Sequence, residues 1–162
     1  MNHARTSLPL ALLLLLLLTA RPADAGEADA AAQLAASRFA PATLCVAALE
    51  REIKSGLHAG ATTTELDRWQ RRAESAFAHT GQAYLDGLSE QQAKPLLRAA
   101  ETAVASWPTD RLARHTQACH TQGQALFEQA SSLQQWVVRR SAQRWLKKEL
   151  AKLTERPDGT GN

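Results

Sequence analysis

The chain predicts an all-α fold: an antiparallel bundle of about four main helices plus a short N-terminal helix, stapled by one disulfide. Three observations carry that expectation. Alanine, leucine, glutamine and arginine dominate, and all are strong helix formers. Apolar residues recur at steps of three and four over long stretches, with no convincing period-two alternation. Proline and glycine fall mostly where that pattern breaks.

The N-terminus, "MNHARTSLPLALLLLLLLTARPADAGEA", predicts a secretory signal peptide over residues 1–25. His3 and Arg5 give a short basic start, Leu8 to Leu18 an apolar run, and Ala23-Asp24-Ala25 a small-x-small cleavage pattern. The apolar run is about 11 residues, and a spanning helix needs roughly 20. No cysteine near the cleavage site offers a lipid attachment point. Cutting after Ala25 leaves 137 of the 162 residues, enough for a single helical domain over 26–156. The polar, turn-rich end "TERPDGTGN" predicts a disordered tail over 157–162. The expected destination is the periplasm or the exterior. The alanine-rich, single-disulfide style favours a bacterial periplasm.

Cleavage removes Arg5, Arg21 and Asp24, leaving 17 basic and 15 acidic residues, a net charge of +2. So small a sum argues against a general polyanion binder, and no nucleic-acid partner is expected.

The helices come in order. "ASRFAP" closes a leading helix over 27–39 before Pro41. Residues 42–57 place Cys45, Ala48, Leu49, Ile53 and Leu57 at helical spacing. "SGLHAGATTT" is a loop, with Thr63 or Thr64 as N-cap of the helix after it. Residues 65–88 carry a stripe of Leu66, Trp69, Ala73, Phe77, Thr80, Tyr84 and Leu88, and Gly87 and Ser89 mark a turn. Pro95 suits the first turn of a helix that aligns Leu96, Ala100, Val104 and Trp107. In "WPTD", Pro108 is a stop, and Thr109 or Asp110 caps the last long helix.

That helix is expected to run unbroken from 110 to about 138. Leu112, Thr116, Cys119, Gly123, Leu126, Ala130, Leu133 and Val137 step by four and three without a slip, a heptad seam. One column of the seam is small (Thr116, Gly123, Ala130), which lets a neighbouring helix approach closely.

Cys119 lies in this seam, and Cys45 lies on the inner stripe of its own helix. They are the only cysteines of an exported chain, so the expected outcome is a Cys45–Cys119 disulfide. Zinc fits less well, because it needs three or four ligands at suitable spacing. His115 and Cys119 share a face, but His120 points elsewhere, and His58 and His79 have no ligand partner nearby in sequence. A cysteine nucleophile needs an exposed thiolate, whereas Cys119 has seam spacing. No Glu-x-x-His, H-E-x-x-H, Gly-rich phosphate loop or G-x-S-x-G occurs. No catalytic residue, metal or cofactor is therefore expected. Ion pairing accounts for the scattered carboxylates of Glu50, Glu52, Asp67 and Glu74.

The C-terminal stretch "VVRRSAQRWLKKELAKL" is a basic amphipathic helix. Arg140, Arg144, Lys147 and Lys148 group on one side, and Val138, Ala142, Leu146, Leu150 and Leu153 on the other. The apolar group lies nearly opposite the seam. It must dock on the leading helix, a second copy, a partner, or an anionic membrane surface. Of the four tryptophans, Trp69 and Trp107 have core spacing, Trp136 rims the seam, and Trp145 flanks the basic face as the most exposed. Arg140, Arg144, Trp145, Lys147 and Lys148 form the candidate interaction surface.

In plan the chain resembles small periplasmic acid-stress chaperones, which are exported, helical and held by a single disulfide. The local likeness is confined to "ACHTQGQALF". The loop between the cysteines is long and the composition is not that of an acid-switch protein, so no residue's role carries over. The leading expectation is a non-enzymatic exported protein that binds a protein partner or itself. The alternatives are a membrane-surface binder built on residues 138–153 and a small-molecule carrier in the bundle core.

Overall fold

A computed structural model describes residues 23–155. The predicted signal peptide, apart from Ala23–Ala25, and the predicted tail lie outside the described residues. Six helices follow one another: α1 (Ala23–Ala36), α2 (Ala40–Gly56), α3 (Thr63–Leu85), α4 (Glu90–Ala105), α5 (Thr109–Gln129) and α6 (Ser132–Thr154). The described residues contain no strand. The expected all-helical bundle is observed.

Capping chemistry sets most of the boundaries. Thr62, Ser89 and Ser131 each accept a hydrogen bond from the backbone three residues on, and Glu65, Gln92 and Gln134 reach back in return. These reciprocal boxes satisfy amides that a helix start leaves unpaired. The cap of α3 is thus Thr62, not the expected Thr63 or Thr64. Pro41 opens α2 rather than closing α1, which ends at Ala36. Proline fits a first helical turn because its missing N–H has no partner there. Pro108, not Thr109 or Asp110, stands at the start of α5. At the end of α3, Gly87 adopts φ 97°, Leu88 N donates to Ala83 O and Gly87 N to Tyr84 O. This Schellman turn drops Leu88 into the core, 6 % exposed.

Consecutive long helices alternate in direction, and α3 sits at the centre. It packs against α5, α2 and α6. Arg72 pairs with Glu52 of α2, while Arg72 and Ser75 reach Gln117 and His120 of α5. Three-sided contact explains why α3 buries Ser75, Ala76, Ala78, His79 and Ala83 as well as Trp69 and Ala73. The stripe expected from spacing is narrower, and its Tyr84 is exposed.

Three apolar clusters form the core. One joins α1, α2 and α4 through Leu34, Phe39, Ala48, Leu96, Ala100 and Val104. A second joins α2, α3 and α6 through Ile53, Leu57, Trp69, Ala73, Ala142 and Leu146. Between them, Cys45, Leu49, Ala76 and Cys119 form a small dense node.

The expected single helix over 110–138 is broken. Gln129 ends α5, Ala130 is extended at ψ 151°, and Ser131 caps α6. The Ser131–Gln134 box outcompetes continuation, because serine bonds backbone amides readily in non-helical geometry. The break redirects α6, so the seam is sealed only as far as Gly123. Leu133 and Val137, assigned to the buried seam by their spacing, are 71 % and 48 % exposed. The opposite side of α6 docks instead. Ala142 and Leu146 are buried, and Leu150 and Leu153 are packed beside them. Their dock is α2 and α3, not the leading helix.

Candidate functional site

The node around Cys119 answers the question of its chemistry. The Cys45 and Cys119 sulfurs lie 1.97 Å apart, at disulfide distance, with Cα atoms 5.2 Å apart. One turn on from Cys119, Gly123 brings α3 in beside the pair. An added Cβ there would sit 2.6 Å from Ser75 Cβ, so only glycine admits α3 this close. The small column thus does what its spacing implies at Thr116 and Gly123, both buried. Ala130 lies in the helix break instead.

The structure adds His79 to the node, which sequence spacing left without a partner. Its ring is 3 % exposed, and Nε2 donates to the Cys119 carbonyl at 2.9 Å. The potential ligand atoms of Cys45, His79 and Cys119 all lie within 4.8 Å of one another. Joined sulfurs offer no thiolate, so the arrangement here is a bonded pair with a hydrogen-bonded imidazole against it. Burial pushes His79 below the usual histidine range, opposed by its bond to Cys119. His120 is lowered by burial and by Arg72 and Arg71, and its Nδ1 lies 2.9 Å from Ser75 Oγ. His115 is lowered by burial and Arg111, and it meets the edge of Trp107 at 4.8 Å. The three rings serve packing between helices rather than one shared site.

The C-terminal cations divide into two groups. Arg139 reaches Glu74 of α3 at 3.7 Å and ties α6 to it, while Lys152 pairs with Glu149 within α6 itself. Arg140, Arg144, Lys147 and Lys148 are exposed. None of these four makes an ion pair among the described residues. Trp145 departs from expectation. It is half-buried against the α2–α3–α6 cluster, with Lys54 Nζ 5.8 Å from the ring. Trp136 takes its place as the exposed tryptophan, at 61 %. The indole at 145 sits next to the apolar stripe of α6, and that stripe is spent on the bundle.

Beside this basic face the hairpin of α5 and α6 splays, and the two helices scarcely touch. The gap is a groove of about 490 Å³. Small α3 residues, Ala78 and Gly81, form its floor, while Leu126 and Phe127 of α5 face Leu133 and Val137 of α6. Leu85, 68 % exposed, stands at its end. Along α6 the steps from Leu133 to Val137, Arg140, Arg144 and Lys147 are again four and three. Groove wall and cations therefore share one outward stripe. Sequence spacing identifies the cations but assigns the apolar half to the interior.

No protein-family model, curated protein or solved structure matches the chain.

Proposed function

We propose that the chain is an exported, non-enzymatic association module that binds another protein through the α5–α6 groove and the outer stripe of α6. The single observation that carries this reading is the apolar patch of Leu85, Leu133, Trp136 and Val137, exposed at 48–71 %. Such contiguous apolar surface on a small soluble fold marks an interaction site more often than scattered leucines do. Export rests on the leader and on a cysteine pair suited to an oxidising compartment.

Two other readings have less support. A membrane-surface helix needs a free apolar side along its length, and the Ala142, Leu146, Leu150 and Leu153 side of α6 is packed on α2 and α3. A carrier needs an enclosed chamber, typically of about 300–1,000 Å³. The cavity beside His79 and Leu97 holds about 200 Å³.

A photo-crosslinking residue at Val137, expressed in the cells that make the protein, tests the proposal. The expected result is a discrete protein adduct at Val137, lost on Leu133→Ser, and none from the same residue at the exposed Arg98 of α4. Equal labelling or no labelling at the two positions would overturn it.

A further inference from the structure

We infer that the partner presents an acidic amphipathic helix, with apolar anchors for the groove followed by carboxylates for the cations of α6. This rests on the reading of that face as an association surface.

The stripe of α6 is divided lengthwise. Leu133, Trp136 and Val137 occupy its first turns and are apolar; Arg140, Arg144, Lys147 and Lys148 come after them and are cationic. From Leu133 to Lys147 the stripe rises about 21 Å at the helical rise per residue. A helix of about four turns spans that length. Its own three-and-four spacing aligns anchors and charges with the stripe, as in helix-in-groove recognition. The four cations make no ion pair with the rest of the described chain, so a partner's carboxylates would meet them without first breaking a bond. Such complementarity speeds encounter and selects partners.

The same division disfavours a second copy of the chain paired along the whole stripe. An isologous contact places each stripe against itself, reversed. Centred on the stripe, it sets Arg140 against Arg140 and the apolar end, Leu133 and Val137, against Lys147 and Arg144. That pairing combines like-charge repulsion with apolar groups facing cationic groups. An anionic bilayer would meet the cations but leave the groove, which is concave, unfilled.

The test uses two synthetic helical peptides and the full mature chain. One peptide carries two leucines one turn apart, followed by glutamates at helical spacing; the other has lysine at each glutamate. Binding is read from Trp136 fluorescence, since that exposed indole stands on α6 between Leu133 and Arg140. Vesicles of phosphatidylglycerol and sedimentation of the chain alone complete the set. The expected result is binding of the glutamate peptide, weakened tenfold or more between low and high salt, and no binding of the lysine peptide. In a variant carrying Arg140→Glu, Arg144→Glu, Lys147→Glu and Lys148→Glu the preference should invert. These side chains are exposed, so the variant should fold, which circular dichroism checks. Equal binding of both peptides would overturn the acidic partner while leaving the association surface standing. So would failure of both peptides together with a dimer abolished by Leu133→Ser. Failure of both with vesicle binding lost in the charge variant would overturn the association surface as well. Failure of both peptides with neither dimer nor vesicle binding would overturn the acidic partner.

Discussion

One heptad seam passes through two unlike regions of this protein. From Thr116 to Gly123 it is sealed, with Cys119 bonded to Cys45 and α3 packed against Gly123. From Leu133 to Val137 it is open to solvent. Step size and side-chain period are the same in both. The difference lies in two residues, Ala130 and Ser131, where the chain leaves and re-enters helical geometry. Periodicity identifies which residues share a face of one helix. It does not establish that this face turns toward the core.

The comparison can be broken from the sealed side first. Replacing Cys45 and Cys119 together by alanine frees a segment of 74 residues and should lower the unfolding free energy by about 4 kcal/mol. Urea titration of the oxidised chain and the double variant measures this. Gly123→Leu comes next. The added side chain has no room against Ser75, and overpacking of this kind costs about 1–3 kcal/mol. Thermal unfolding of that variant checks it.

Acid should also loosen the sealed region. His79, His115 and His120 are all held below their ordinary value by burial. The folded state therefore binds fewer protons than the unfolded one. The stability this gives is complete above the unfolded histidine pKa of about 6.5 and is lost as pH falls from there through the depressed folded values. Glu52, raised by burial with Arg72 and Arg68 opposing, has the opposite sign and partly offsets the fall. Denaturant midpoints should thus fall on acidification from neutrality, and His79→Gln should flatten the fall. The smallest effect belongs to the open region. Leu133→Ser with Val137→Ser should change stability by no more than about 0.5 kcal/mol, because neither side chain is sealed in the core. A larger loss in the same urea titration would mean that the groove is closed in solution.

Much of this is legible in the residues. Two cysteines on inner stripes, with Thr116 and Gly123 beside one of them, foretell the staple. The C-terminal cations foretell an exposed basic face. The rest is hidden for physical reasons. The capping box at Ser131 and Gln134 is present as serine followed three residues later by glutamine, but an unbroken seam masks it. His79 joins the node across 40 residues of sequence, a distance no local spacing reports. The charged neighbours Arg144 and Lys147 make Trp145 read as exposed. Those neighbours point outward, while the indole covers the edge of the Ile53–Trp69 cluster.

The opening of the seam after Ala130 is the claim on which the association surface depends. Iodide quenching of tryptophan fluorescence, compared between the mature chain and Trp136→Phe, tests it most directly. Trp69 is buried, Trp107 and Trp145 are half-buried, and Trp136 is exposed near Arg140 and Arg144, whose charge draws iodide in. With the seam open, most of the quenching should disappear in Trp136→Phe. Quenching that is equal in the two proteins would place Trp136 inside, rejoin the seam, and contradict the open groove.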